Sequence, residues 1–132
     1  FRPRDLKPVT FPGAELWYSD LAFGALDRRV AGGRFVVGGD WNTARLFDTD
    51  KRFDPPIGAK FFIRAREHGW HECHGDQNEE RTFLKPGTRP YQLDHLFCDR
   101  ATGRKQTGCY VWRHDRGEEL TDHLPLVAEF AW

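Results

Sequence analysis

The sequence contains no methionine and only three cysteines in 132 residues. No apolar run approaches the roughly 18 residues needed to span a membrane, and no basic start followed by an apolar stretch marks a signal peptide. Cys73, Cys98 and Cys109 are odd in number and lack paired CxxC spacing, which argues against a disulfide framework and against a zinc ribbon. We therefore expect reduced thiols and no membrane span, and the cytoplasm is favoured over secretion.

The sequence also has no excess of positive or negative charge. Lys plus Arg total 20 and Asp plus Glu total 20, so the net charge is zero and no global field draws the protein towards polyanions. The hydrophobic (39%) and charged (30%) fractions are typical of one compact domain and exclude collagenous and disordered chains. Because the sequence opens at Phe1 and contains no Met, we expect a further portion upstream.

The amino-terminal part of the sequence divides into two stretches. Residues 1–14 hold three prolines and a glycine and are predicted to be an irregular lead-in. From residue 15 apolar side chains recur on one helical face, and a glycine pair supplies a left-handed stop just beyond them. The apolar positions are Leu16, Phe23, Leu26 and Val30. This pattern predicts an amphipathic helix over 15–31, at the start of a domain that covers 15–132.

The rest of the sequence alternates strand-like and helical patterns. The β-rich run 34–37 ends at a glycine pair predicted to be a turn, and the Asp-Pro-Pro at 54–56 opens a predicted helix over 56–68. Further strands are predicted near 70–74, 80–84, 92–98, 107–113 and 124–131. Two helices and a majority of strands predict an α+β fold, with a mixed, mostly antiparallel sheet covered by helices on one face.

The motif GDWN (residues 39–42) follows an apolar strand. Alternation along an extended backbone would put Asp40 and Asn42 on one side and turn Trp41 to the other. A carboxylate and an amide that project together suit a water and a phosphate oxygen. Read alone, the motif favours an ordinary turn, where Gly, Asp and Asn are common for backbone reasons.

Two later motifs also place carboxylates on strands. LDH (residues 93–95) puts Asp94 inside an apolar run, where an ionised carboxylate needs a partner unless it lies on the solvent face of an edge strand. TDHLP (residues 121–125) puts Asp122 and His123 at a strand start, from which a carboxylate can bind a metal and an imidazole can move a proton. Alone, this motif also fits a capped turn with an exposed histidine.

In the order GDWN, LDH and TDHLP, the three motifs together resemble those of the endonuclease/exonuclease/phosphatase superfamily. The resemblance covers roughly residues 15–132 and includes the Arg-Thr-Phe segment at 81–83. It implies one sheet-plus-helix half, the carboxyl-terminal half, of a four-layer α/β/β/α sandwich. The missing amino-terminal half, or a second copy of this chain, would then pack on the open apolar face of the sheet.

The same resemblance implies roles for five residues. Asp40 and Asn42 would orient the attacking water and hold the phosphate. Asp94 would orient His123, which would act as general base or bind the scissile phosphate. Asp122 would help to hold a divalent ion. Magnesium or manganese is the implied cofactor, because a hard cation with carboxylate ligands stabilises the developing oxyanions.

Complete members of that superfamily contribute three further groups that have no counterpart here. These are an Asn and a metal-binding Glu in the first strands and a phosphate-binding His before the GDxN motif. No histidine occurs before His68, and Glu15 is predicted to precede the first helix rather than to lie in a strand. We therefore expect the active site to be incomplete without the upstream half.

These features predict a divalent-metal-dependent phosphoester hydrolase, either a phosphodiesterase or nuclease or a phosphatase. Its substrate would be a phosphoester, with nucleic acid among the candidates. The rival hypothesis is a non-catalytic binding or assembly module that keeps the fold and the motifs but has lost the chemistry.

Overall fold

In a computed structural model the chain forms the strands and helices of an α+β fold. The described residues are 9–11, 14–16, 18–52, 58–75, 79–113 and 120–131. The elements are β1 (Val9–Phe11), β2 (Ala14–Leu16), α1 (Tyr18–Val30), β3 (Val36–Asp40), a 3₁₀ helix (Arg45–Thr49), α2 (Gly58–Glu67), β4 (Trp70–Glu72), β5 (Asp94–Asp99), α3 (Arg100–Gly103), β6 (Gln106–Val111) and β7 (Leu126–Phe130). The predicted α+β class is confirmed.

The strands pair in antiparallel ladders. Within the described residues they form three separate groups, which are β1–β2, a three-stranded sheet in the order β3–β5–β4, and β6–β7. The single sheet predicted from the sequence is therefore divided, although the antiparallel pairing is as expected. The three-stranded sheet carries the first two polar motifs at one end.

The first strands lie where the sequence predicted none. β1 and β2 pair with each other between residues 9 and 16, inside and just beyond the predicted irregular lead-in, and α1 begins at Tyr18 rather than at residue 15. Glu15 lies in β2 opposite Thr10, so the prediction that it stands outside a strand was wrong. The Pro-Gly pair at 12–13, outside the described residues, is a turn signal that favours such a hairpin.

β3 continues through the glycine pair that was predicted to be a turn. Gly38 and Gly39 pair with Leu96 and His95, and the strand ends only at Asp40. A Cβ at Gly38 would collide with Cδ2 of Leu96, so a larger residue there would require the Leu96 side chain to move. The ladder therefore extends to the first polar motif.

Two other predicted elements also differ. The predicted strand at 80–84 is reduced to one antiparallel bridge between Phe83 and His123. The 3₁₀ helix after GDWN was not predicted. Asp48, in that helix, accepts hydrogen bonds from the backbone N–H groups of Gly58 (2.7 Å) and Ala59 (2.9 Å), which cap the first turn of α2. The predicted helix 56–68 corresponds to α2, with residues 53–57 outside the described part.

The core lies between the helices α1 and α2 and one face of the three-stranded sheet. Its buried residues are Phe23, Phe61, Phe62, Ala65, Trp70 and Phe97. Arg64 on α2 donates to Asp20 on α1 (2.6 Å), which joins the two helices at their rim. This layer supports the sheet from behind the polar motifs.

The three cysteines are free thiols, as expected. Burial raises the pKa of Cys73 above its usual value, and burial likewise raises the pKa of Cys98 and of Cys109. No helix in the described part of the chain is long and apolar enough to cross a lipid bilayer.

Phe97 is fully buried at the centre of this core, where it contacts both helices and the sheet. We expect Phe97→Ala to lower the free energy of unfolding by about 3–5 kcal/mol, because it removes a buried ring and leaves a cavity. Urea unfolding followed by circular dichroism measures the change. Leu120→Ala, at a position 78% exposed, is the control and should cost less than about 0.5 kcal/mol. Equal effects of the two substitutions would contradict the assigned core.

Candidate active site

Asp40 and Asn42 lie together at the end of β3. The Asp40 carboxylate accepts from the Asn42 backbone N–H (2.8 Å) and from its side-chain Nδ2 (2.9 Å). Asn42 has a φ of +49°, a left-handed conformation that Asn tolerates better than most residues. The two side chains lie together as predicted, but a turn at Asn42 rather than an extended backbone holds them against each other.

Trp41, between them, points in the opposite direction. Its ring packs against the aromatic core, and its Nε1 donates to the backbone oxygen of His95 (3.2 Å). The nearest rings are those of Phe23, Phe61, Trp70 and Phe97. The indole fixes the turn to the core, so the polar pair is presented on a rigid base.

Asp94 stands directly opposite Asp40 in the β3–β5 ladder and contacts His123. The distance between Asp94 Oδ2 and His123 Nδ1 is 2.8 Å. The side chains are 17% and 27% exposed, so the pair is shielded but open to solvent on one side. His123 is held by its bridge to Phe83, whose ring lies 5.0 Å from the imidazole.

Asp40, Asp94 and His123 form a group of possible metal donors. One ligand atom from each lies within 4.8 Å of the others. Two carboxylates fit a hard divalent cation such as Mg²⁺ or Mn²⁺, which binds oxygen ligands and keeps several waters. The ligand atoms that these three residues offer are therefore of a kind that suits the Mg²⁺ or Mn²⁺ ion implied by the sequence.

Asp122 is placed differently from the other predicted residues. It is exposed, and it is not a member of that three-residue group. Its backbone oxygen accepts from the N–H of Leu84 (2.7 Å), and its charge is close enough to affect His123. Four of the five predicted residues are thus brought together by direct contacts or close donor distances, and Asp122 lies at their margin.

The carboxylates control the protonation of His123. Burial lowers the pKa of this imidazole, but the hydrogen bond and charge of Asp94, with the charges of Asp40 and Asp122, outweigh burial and raise the pKa above its usual 6.5. Nδ1 faces Asp94, so Nε2 is the ring nitrogen left for a substrate or water.

Buried polar residues behind the site were not singled out from the sequence. His95 is 1% exposed, and its Nε2 bonds the backbone oxygens of Thr43 (2.9 Å) and Gln92 (3.1 Å). Thr82 is fully buried, and its hydroxyl accepts from the N–H of Asp94 (3.2 Å). Strand alternation gave a signal for His95, because a residue next to Asp94 must face the helices. Thr82 lies in the Arg-Thr-Phe segment that the resemblance includes, but no role was predicted for its hydroxyl.

A salt-bridge network supports the segment after GDWN. Arg45 donates to both carboxylate oxygens of Glu72, and its guanidinium lies 3.7 Å from the centre of the Phe62 ring. Burial raises the pKa of Glu72, but the neighbouring His95 and the hydrogen bonds from Arg45 lower it to about 2. Glu79 accepts from the backbone N–H of Arg45 (2.7 Å). These contacts attach the 3₁₀ helix to β4.

Comparison with known proteins identifies the class to which this fold and site belong. The sequence matches the Endonuclease/Exonuclease/phosphatase family over residues 3–123. The chain therefore belongs to that family. No curated protein matches the sequence.

Solved structures of low sequence identity share the fold. The chain resembles a 3′ phosphatase, NExo, from Neisseria bound to product DNA hairpin, with a TM-score of 0.68, 19% identity, and coverage of 88% of this chain and 52% of that chain. It resembles the 3′-5′ exonuclease NExo from Neisseria meningitidis, with a TM-score of 0.65, 20% identity, and coverage of 87% and 54%. It also resembles the endonuclease domain of TRAS1, a telomere-specific non-LTR retrotransposon, with a TM-score of 0.59, 19% identity, and coverage of 86% of this chain and 50% of that chain. The chain thus spans about half the length of these structures.

The raised pKa of His123 gives a test of the contact with Asp94. We expect Asp94→Asn to lower the pKa of His123, because it removes the carboxylate that contributes most to raising this pKa. Titration of the ring protons by NMR measures the change. Glu129→Gln, which replaces an exposed residue on β7, is the control and should leave the titration of His123 unchanged.

The sign of the linked stability follows from the same shift. The protonated imidazole stabilises the fold fully below pH 6.5, and this contribution is lost as the pH rises through the raised pKa. In Asp94→Asn this contribution should be smaller, and its loss should be complete at a lower pH. An unchanged His123 titration in that variant would contradict the role of Asp94.

Proposed function

We propose that the chain is the carboxyl-terminal half of a divalent-metal-dependent phosphoester hydrolase. The observation that carries the proposal is the convergence of Asp40, Asp94 and His123, with donor atoms within 4.8 Å, beside an Asn42 that is bonded to Asp40. Family membership supports the same reaction class. A phosphate and a water could be held between these groups at the open side of the site.

The residues would divide the chemistry among themselves. Asp40 and Asn42 orient the attacking water and hold the phosphate, with the Asn42 amide as donor. Asp94 accepts from Nδ1 of His123 and so fixes the ring orientation and the tautomer. Nε2 of His123 then takes a proton from the water or donates to a phosphoryl oxygen. The raised pKa of His123 favours the charged form that stabilises an oxyanion.

Mg²⁺ or Mn²⁺ would be held by the carboxylates of the site, with Asp122 as the ligand that we propose at its margin. When bound, such an ion supplies positive charge to the phosphoryl oxygens and lowers the pKa of a bound water. The carboxylates of Asp40 and Asp94 lie together at the end of the β3–β5 ladder, where they would attract the cation. Substitution of each carboxylate in turn would test its contribution to metal binding separately.

The site would be completed by the missing amino-terminal half. An Asn, a metal-binding Glu and a phosphate-binding His are the groups that the upstream half should contribute. The chain spans only about half of the solved structures that it resembles, which supports this view. The substrate would be a phosphoester, with nucleic acid as the first candidate because one similar structure is bound to product DNA hairpin.

The complete polypeptide, with the sequence upstream of Phe1, should hydrolyse phosphoesters. We expect His123→Ala to lower turnover by at least about a hundredfold, because it removes the acid–base group. Bis(4-nitrophenyl) phosphate, 4-nitrophenyl phosphate and a labelled DNA hairpin, each assayed with Mg²⁺ and with EDTA, measure the effect. EDTA should abolish turnover.

The control for this assay is His68→Ala, which removes an exposed histidine that contacts Asp27 on α1. It should leave turnover unchanged. Unchanged rates in His123→Ala would remove His123 from the mechanism. A complete polypeptide that hydrolyses none of the three probes would favour the non-catalytic binding module instead.

The sheet face opposite α1 and α2 is where the missing half or a second copy would pack. Val36, at the start of β3, is 48% exposed there, whereas its neighbour Val37 packs against the helical core. Tyr110 and Trp112 on the β6–β7 side are 41% and 48% exposed. An exposed apolar side chain such as Val36 would be covered when a partner packs on this face of the sheet.

We expect the 132-residue chain to associate in solution, and Val36→Glu to weaken the association because it places a charge in the covered face. Light scattering over a range of concentrations measures the change. Ile63→Glu, at an equally exposed (49%) position on the helix α2, is the matched control and should have no effect. A chain that stays monomeric at high concentration would contradict pairing of two copies.

A further inference from the structure

Thr82 contacts both segments that carry the candidate acid–base pair. Its side chain is fully buried, and its Oγ1 accepts from the backbone N–H groups of Leu93 (2.9 Å) and Asp94 (3.2 Å). Its backbone oxygen accepts from the N–H of Leu124 (2.8 Å), the residue after His123. One residue therefore connects the start of β5 to the 122–124 segment.

The hydroxyl of Thr82 acts beyond the end of the β4–β5 ladder. The β4–β5 ladder ends with Glu72 opposite Phe97, three residues short of Asp94. A buried N–H group without an acceptor is costly, so the start of β5 needs an acceptor from elsewhere. Thr82 Oγ1 supplies it to two consecutive N–H groups.

The backbone beside Thr82 aligns His123. Phe83 forms an antiparallel bridge with His123, and the N–H of Leu84 donates to the backbone oxygen of Asp122 (2.7 Å). With the bond from Leu124 to Thr82, residues 82–84 run alongside residues 122–124. The position of the imidazole along this segment is therefore set by the same residues that hold Asp94.

We propose that Thr82 is a positioning residue for the Asp94–His123 pair. Its hydroxyl fixes the backbone of Asp94 and its carbonyl fixes the segment of His123, so that Oδ2 and Nδ1 meet at 2.8 Å. Thr82 has no bond to the reacting side-chain atoms and acts only through the backbone. A displacement of about 1 Å in such a pair can reduce turnover about a hundredfold.

The catalytic meaning of this role depends on the function proposed above, but the hydrogen bonds can be measured without turnover. We expect Thr82→Val, which replaces the hydroxyl by a methyl group, to speed hydrogen exchange of the Asp94 amide by at least about tenfold. We also expect the neutral His123 ring to shift from the Nδ1–H tautomer towards Nε2–H, as read from imidazole ¹⁵N chemical shifts. Thr82→Ser keeps the hydroxyl and should retain both the slow exchange of the Asp94 amide and the Nδ1–H tautomer of His123.

Thr102→Val is the matched control. Thr102 is 1% exposed, and its hydroxyl donates to Asp99 (2.6 Å) at the other end of β5. It should destabilise the chain without changing the His123 tautomer. A folded Thr82→Val chain that keeps the Nδ1–H tautomer and a protected Asp94 amide would overturn the proposal, as would loss of both in folded Thr82→Ser. If Thr82→Val does not fold, rapid exchange of the Asp94 and Leu124 amides in the unmodified chain would overturn it.

Discussion

The antiparallel register between β3 and β5 is the constraint on which the candidate site depends. It sets Asp40 opposite Asp94 at the end of the ladder and turns Trp41 into the aromatic core. Because side chains alternate along a strand, a slip of one residue would move each carboxylate to the opposite face. The buried side chain of Phe97 resists such a slip, because it would have to leave the core.

Much of the site could be predicted because each motif is local. Asp40 and Asn42 were predicted to lie side by side on an extended backbone, and they do lie together, although a left-handed turn at Asn42 makes the contact. The apolar run around Asp94 predicts a partner, and the family resemblance implied that this partner is His123. The supporting role of Thr82, in the Arg-Thr-Phe segment that the resemblance includes, was not predicted, because its contacts join backbone groups 9 to 42 residues away in sequence. Nothing in its neighbours indicates that a hydroxyl is needed there.

The fold was less predictable at its margins, for reasons of packing. The β1–β2 hairpin lies in a proline-containing stretch that resembles irregular chain, and the segment at 80–84 has strand-like residues but forms only one bridge. Local preference does not decide whether a second strand is available to complete a ladder. The division of the strands into three groups within the described residues is likewise set by contacts distant in sequence.

The close contact of Gly38 with Leu96 limits how this part of the sequence can vary. A methyl group at residue 38 would occupy the space of the end of the Leu96 side chain, which would have to move or be replaced by a smaller one. The two positions should therefore change together over evolution. Directed changes to the sheet beside the candidate site would have to treat them as one unit.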